Sequence, residues 1–353
     1  MRKTSDVSGS ILDLSTEPAE RATHHAHGLQ FLQPVPRHLV HRAAVAEVLL
    51  TDSTQLDERH FLVAAQWPRD HALHNPDTEG RTDPLLFAET IRQMFVYLAH
   101  TYFGVPLTQR FIGDRLSFDF EDAAPLKVGA APLDVVLDAE WTWEGNRPPN
   151  RYGMRLDVAL IINGEVCGRG SISGIAVDDR RYSLLRRRDA VAHQQGAGEG
   201  GAGRIPVPPA RVGRLRAKDC VLEHGTLNGG WWLRVDTDHA IYFDHPSDHV
   251  PLMVALEGFR QLGYLLVNTD NRGTPLTLVS SQVECQAFGE LDEPARLMVE
   301  EMDEPMGDAS LRRLRISACQ GDRAFATSTT LWSLPQDSRV ERLAFIPVQE
   351  AVA

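Results

Sequence analysis

Two stretches of this 353-residue sequence place a carboxylate, a guanidinium and an amide at one shared spacing. Glu89, Arg92 and Gln93 lie in DPLLFAETIRQMFVYLAHTYFGVPL, residues 83–107. Glu257, Arg260 and Gln261 lie in VPLMVALEGFRQLGYLLVNTDNRGTPL, residues 250–276. On a helix, positions i, i+3 and i+4 share one face. An intrahelical ion pair on a solvated face is the simplest use of such a trio. Both helices are apolar almost all round, however, so little solvated face remains. A buried carboxylate needs partners and tends towards a raised pKa. A glutamate near neutrality is suited to proton transfer, so at least one of Glu89 and Glu257 is expected to act as a general base.

The segment before the second helix, FDHPSDHVP, adds His245 and His249 beside Asp244 and Asp248. Histidine is a general base at neutral pH, and an aspartate can orient its ring. Two prolines so close disfavour a helical pair of metal-binding histidines, and no metal or other cofactor is expected. The matching first-half loop, residues 66–84, offers Arg69, Asp70, His71 and Asp83. Free N–H groups at a helix start favour negative charge, so a thioester carbonyl placed there would have its developing oxyanion stabilised. Arg92, Arg69, Gln93, Gln261, Asp248 and His71 are the candidate substrate contacts.

The elements that must position these residues recur in order. Each helix begins at a proline, Pro84 or Pro251, where a helix tolerates one. Ahead of the first helix, HRAAVAEVLL and HFLVAAQW read as strands; GGWWLRVDT and HAIYF do so ahead of the second. After the helices come LDVVLDAEWTW and a hairpin turning at Asn163-Gly164, then ARLMVEEM and a hairpin turning at Gln320-Gly321-Asp322. One long helix wrapped by a curved antiparallel sheet is an economical way to bury such a helix. The expected fold is α+β: two tandem hot-dog domains, paired edge to edge as an internal pseudo-dimer so that a sheet edge is covered. The boundaries read as a disordered tail at 1–28, a first domain at 29–182 and a linker at 183–212 rich in Gly, Ala and Pro. A second domain follows at 213–340, then a C-terminal tail at 341–353.

A length of 353 residues fits two domains, and 42% apolar residues can fill their cores. A net charge of −12 argues against general nucleic-acid binding and against a polybasic membrane anchor. No apolar run is long enough to span a membrane, and the N-terminus has no secretory apolar core. Cys167, Cys220, Cys285 and Cys319 are widely spaced, without CxxC, which fits a reducing cytoplasm and suggests neither zinc nor disulfides.

FDHPSDHVPLMVALEGFRQ in the second half resembles the γ-butyrolactone biosynthesis family of the A-factor synthase type. AAVAEVLLTD, FLVAAQWPRDH, DPLLFAETIRQ, GVPL and LSF in the first half resemble it in the same order. The resemblance spans roughly residues 38–335. It implies tandem hot-dog repeats distantly similar to β-hydroxyacyl-thioester dehydratases. It also implies transfer of a β-ketoacyl group from an acyl carrier protein thioester to the hydroxyl of dihydroxyacetone phosphate. Carried over by motif, the family's active-site residues fall on Glu89, Glu257 and Arg260; Arg92 follows from the internal repeat. The partners implied are the acyl carrier protein and the triose phosphate, in a monomeric pseudo-dimer or a homodimer. Arg186, Arg187 and Arg188 could dock an acidic carrier protein. Two positions depart from the family pattern. Leu252 replaces a glycine and could narrow the approach to the helix start. Gly258 replaces an alanine and could admit a bulkier acyl chain. A hot-dog dehydratase or thioesterase, and a non-catalytic acyl-ligand binder, are the rival readings.

Overall fold

The computed structural model describes residues 28–193, 203–226, 229–268, 276–303 and 311–334. The first half runs β1 (Leu50–Gln55), β2 (His60–Trp67), α1 (Leu85–Thr101), β3 (Arg110–Phe120), β4 (Leu133–Trp143), β5 (Arg151–Ile162) and β6 (Glu165–Val177). A helix, α2 (Asp179–His193), follows. The second half runs β7 (Arg204–Pro206), β8 (Leu222–Gly225), β9 (Trp231–Leu233), α3 (Leu252–Val267), β10 (Thr277–Cys285), β11 (Ala295–Met302), β12 (Leu311–Gln320) and β13 (Arg323–Ser333).

Among the described residues all strands form one antiparallel sheet in the order β1-β2-β4-β5-β6-β3-β10-β13-β12-β11-β9-β8-β7. The order reads the same from either end once β8 is matched to β1 and β10 to β3; β7 is an addition. The halves join where β3 pairs with β10, from Asp119 opposite Ser280 to Arg115 opposite Glu284. Each half thereby covers an edge of the other, as the pseudo-dimer requires. Helix α1 packs on first-half strands and α3 on second-half strands, within one continuous apolar core.

Local chemistry explains the helices and hairpins. The first hairpin turns at Asn163 and Gly164, both at positive φ, the backbone that a two-residue turn needs. Gly321 gives β12 and β13 their turn. Helices α1 and α3 are buried nearly all round, and Glu89, Gln93, Glu257 and Gln261 are buried with their apolar neighbours.

Two expected strands did not form. In residues 41–50 only Leu50 is strand; Val45–Glu47 is a 3-10 turn. Residues 239–243 are a turn as well. In both segments side chains take over the backbone groups that a ladder would use. Asp244 accepts the N–H groups of Ala43 and Ala44, and Gln93 accepts that of Leu49. The His239 Nδ1 accepts the N–H groups of Ile241 and Tyr242.

The linker expected from residue 183 begins inside α2, which is docked on the second half. Tyr182 donates to Asp248, Arg186 pairs with Glu290 and lies over the Phe288 ring, and Arg323 pairs with Asp189. Arg186 is therefore engaged, whereas Arg187 and Arg188 are exposed. The 1–28 tail apart from Gly28, the glycine-rich run at 194–202 and the C-terminal tail lie outside the described residues. No helix among the described residues is long and apolar enough to cross a membrane.

Candidate active site

Glu89 projects from the second turn of α1 and is 4% exposed. Its Oε1 accepts from Arg42 Nε (3.1 Å), Arg92 Nη2 (2.8 Å) and Gln93 Nε2 (2.7 Å), and its Oε2 accepts from Arg92 Nε at 2.9 Å. Arg42 Nη1 continues across the molecule to the Ile241 carbonyl at 3.2 Å. The second half builds the same object. Glu257, fully buried, accepts from Arg214 Nε (2.7 Å) and Nη2 (2.5 Å), Arg260 Nε (3.0 Å) and Nη2 (2.8 Å), and Gln261 Nε2 (2.6 Å). Arg214 Nη1 then crosses to the Leu73 carbonyl at 3.0 Å. Each carboxylate thus holds two arginines, one of which is tied to the opposite half.

This arrangement reverses the expected protonation. Burial alone would raise both glutamates. The guanidiniums of Arg42 and Arg92 outweigh it for Glu89 and hold its carboxyl well below the usual range. Arg214 and Arg260 hold Glu257 at about 2. Ionised carboxylates so far below neutrality are poor proton acceptors at neutral pH. The expectation of a raised pKa is corrected: both carboxylates are held ionised, and each bonds two arginines. Gln93 and Gln261 are pinned as well. Gln93 donates to the Glu47 carbonyl and accepts from Leu49, and Gln261 does the same with Asp219 and Val221. Neither amide is free to bind substrate.

The two clusters differ in their outer residues. Around Glu257 the charges close on themselves. Arg214 also pairs with Asp83 at 2.5 Å, and the side chains of Arg214, Glu257, Asp83 and Arg260 are at most 7% exposed. Asp83 also accepts the Leu85 N–H, so a buried carboxylate already occupies the start of α1. Around Glu89 the cluster is more open. The Arg92 side chain is 18% exposed, and its Nη1 donates to no described residue. His245, from the second half, is 51% exposed beside this cluster. Burial, then Arg92 and Arg42, push its imidazole below the ordinary value and keep it neutral. The loop of one half therefore meets the segment that carries Arg42 of the other, beside the Glu89 cluster.

The remaining sequence candidates go elsewhere. His71 is buried, and its Nδ1 accepts the N–H groups of Leu73 and His74 to shape the turn that holds Arg214. Arg69 donates to the Gly129 carbonyl on an exposed loop. His249 and Asp248 bond to each other and to Tyr182, at the docking point of α2. Leu252 opens α3 and faces Gly113 of β3: a β-carbon built there would lie 3.8 Å from Leu252 Cδ2. Gly258 opens no room for an acyl chain, because a β-carbon there would stand 2.5 Å from Leu233 Cδ1. That glycine lets α3 close on β9.

Arg42 and Arg214 were missed, although a second repeat carries them. Val40-His41-Arg42 precedes Glu47-Val48-Leu49-Leu50 as Val212-Gly213-Arg214 precedes Asp219-Cys220-Val221-Leu222. Asp70-His71-Ala72-Leu73 likewise returns as Asp238-His239-Ala240-Ile241.

The A-factor biosynthesis hotdog domain (AfsA) matches residues 23–178 and 203–335. The chain belongs to this family. Family relatives include the 2-oxo-3-(phosphooxy)propyl 3-oxoalkanoate synthase of Streptomyces virginiae, 37% identical over 292 residues that cover 82% of this chain and 94% of that one. The synthase of the same name from Streptomyces coelicolor is 30% identical over 298 residues, covering 84% and 90%. Among solved structures, the 12:0-ACP thioesterase from Umbellularia californica is similar with a TM-score of 0.45 at 11% identity, covering 78% of this chain and 94% of that chain. Within the family's double hot-dog frame, the Glu89 cluster is the more exposed of the two cationic clusters.

Proposed function

We propose that this protein transfers a β-ketoacyl group from an acyl carrier protein thioester to the hydroxyl of dihydroxyacetone phosphate. The product would be a 2-oxo-3-(phosphooxy)propyl 3-oxoalkanoate. The observation that carries the reading is the Glu89–Arg92–His245 cluster, an arginine-bearing, partly open site in a chain that shares most of its length with synthases of that product. The Arg92 side chain is 18% exposed, and guanidinium is well matched to phosphate. His245 contacts the substrate from the opposite half. The Glu257 cluster, with Arg260, holds the halves together. Arg187 and Arg188 are left to receive the carrier protein, and the four free cysteines suit a cytoplasmic setting. No covalent enzyme intermediate is needed, because the hydroxyl attacks the thioester directly.

The test is product formation followed by mass spectrometry, with a β-ketoacyl thioester, with and without dihydroxyacetone phosphate. A phosphorylated ester appearing only with the triose phosphate supports the reading. Hydrolysis or dehydration that ignores it points to a thioesterase or dehydratase, and saturable binding without turnover to an acyl-ligand binder. Arg92→Met should raise KM for the triose phosphate by about 10-fold or more, the worth of a charge-assisted bond. Arg260→Met should leave that KM within about 3-fold of the wild type, since no substrate group is within its reach in this reading.

A further inference from the structure

Helix α2 has one face that the fold uses and one that it does not. Over residues 179–189 it carries five arginines against two aspartates, in a chain whose net charge is −12. Successive helix positions turn by about 100°, so Tyr182, Arg186 and Asp189 share one face, and Arg180, Leu184, Arg187 and Arg188 share the other. The first face is fastened to both halves. Arg110 of β3 pairs with Asp179 and lies 5.7 Å from the centre of the Tyr182 ring. Tyr182 Oη donates to Asp248 at 2.6 Å, and two nitrogens of Arg186 each donate to Glu290 at 2.7 Å. Asp189 pairs with Arg323 and accepts the Phe288 N–H at 2.9 Å.

Arg181 pairs with Asp178, which leaves Arg180, Arg187 and Arg188. All three are exposed, and none forms an ion pair among the described residues. Arg187 donates back to the Ser183 carbonyl of its own helix at 3.2 Å. Leu184 stands among them, 53% exposed. A single exposed leucine is ordinary. Three arginines without a carboxylate, set round an exposed leucine on a fastened helix, make a surface complementary to an acidic partner. A short segment joins this helix to the candidate active site. Asp244 accepts the N–H groups of Ala43 and Ala44, next to Arg42, and Asp248 accepts from Tyr182 of α2. Four residue steps separate the two aspartates, so their Cα atoms are no more than about 14 Å apart. His245, beside Asp244, is within electrostatic reach of Arg92, Arg42 and Glu89.

We propose that the exposed face of α2, formed by Arg180, Leu184, Arg187 and Arg188, is the docking surface for the acidic acyl carrier protein. This assignment rests on the function proposed above and adds to it a defined helix face with an apolar centre. A carrier protein brings its acyl group on a long, flexible phosphopantetheine arm, so it must dock near the reacting groups and not on them. The arginines meet carboxylates of the carrier, Leu184 packs against an apolar side chain between them, and the arm reaches past the 244–248 segment to the Glu89 cluster. The ties of Tyr182, Arg186 and Asp189 keep the docking face at a fixed distance from that cluster.

The test gives the full-length chain two donors of one β-ketoacyl group: the acyl carrier protein thioester, and the N-acetylcysteamine thioester, which has no protein to dock. Combined Arg180→Glu, Arg187→Glu and Arg188→Glu should raise KM for the carrier-borne donor by about 10-fold or more. It should weaken binding of labelled acyl carrier protein, read by fluorescence anisotropy, by a similar factor. The kcat/KM with the small thioester should stay within about 2-fold of the wild type. Added salt should weaken carrier binding by the wild type and scarcely change that of the variant. Leu184→Ala should weaken carrier binding by about 3-fold or more. Combined Arg155→Glu, Arg169→Glu and Arg315→Glu makes the same change of net charge on β5, β6 and β12, at side chains more than a third exposed, and should bind the carrier as the wild type does. Undiminished carrier binding by the folded α2 variant, an equal loss in the charge control, or an equal loss with both donors would each overturn the docking assignment. A wild-type protein that binds the carrier through α2, yet makes no phosphorylated ester from either donor, would overturn the proposed function and leave the docking face standing.

Discussion

Glu257→Gln is the most searching perturbation of this fold. The wild-type carboxylate receives five donated hydrogen bonds, three to Oε1 and two to Oε2. A glutamine keeps one acceptor oxygen and turns an NH2 group towards the donors that met the other. Arg214 keeps Asp83 as a charge partner, and Arg260 loses its carboxylate altogether. Removing one member of a buried ion pair costs about 3–5 kcal/mol, because the charge left behind is uncompensated. At about 2 °C per kcal/mol for a chain of this size, Tm should fall by roughly 6–10 °C. Calorimetry or circular dichroism at pH 7 would measure it, with Asp179→Asn as the control. Asp179 pairs with Arg110 on the surface, both side chains more than half exposed. Such pairs are worth about 0–1 kcal/mol, so the control should shift Tm by roughly 2 °C or less. If Glu257→Gln melts no lower than the control, the carboxylate is not the anchor of the buried network and the reasoning fails. At a temperature where the variant is folded, it should still transfer acyl groups, whereas Glu89→Gln should not.

Acid should act on the same network. Glu257 and Glu89 are depressed in the folded state, so their stabilisation is fully present above the ordinary glutamate value near 4.3. It is lost as pH falls from there towards about 2, the folded value for Glu257. A urea midpoint that is unchanged between pH 5 and pH 3 would count against both ion clusters. Asp244→Ala removes the acceptor of two backbone N–H groups in the opposite half. It should cost about 1–3 kcal/mol and raise hydrogen exchange at Ala43 and Ala44; unchanged exchange there would show that the tie is unimportant. Leu252→Gly exposes the start of α3 but leaves the Glu89 cluster untouched. Turnover should stay within about 3-fold of the wild type, and a rise of 10-fold or more would move the reaction to the second-half helix.

How much of this was legible in the sequence follows the range of the forces involved. Both helices, both hairpins and the tandem order were readable because each depends on neighbours within a few residues: apolar periodicity, Asn163-Gly164, a proline at the helix start. The pairing of β3 with β10 was foreseeable only as a need to cover an edge. The segments 41–50 and 239–243 misled because their residue types suit strands, while the groups that consume their hydrogen bonds are remote or lie in the turn itself. Asp244 binds backbone some 200 positions away.

The sequence by itself determined that a carboxylate, an arginine and an amide share one buried helical face, twice. Only the tertiary structure decided their protonation. The sign of a buried glutamate's pKa shift depends on which cations reach it. Arg42 arrives on a loop 47 positions before Glu89, and Arg214 reaches Glu257 from 43 positions before it. Without them burial would dominate and raise both glutamates; with them Coulomb attraction wins and both are held ionised. The tertiary structure likewise brought His245 of one half within the electrostatic reach of Arg92, Arg42 and Glu89 of the other, a proximity of distant segments that no local pattern records. Helical spacing is written in adjacent residues, whereas the electrostatic field at a buried atom is the sum over everything the fold brings near it.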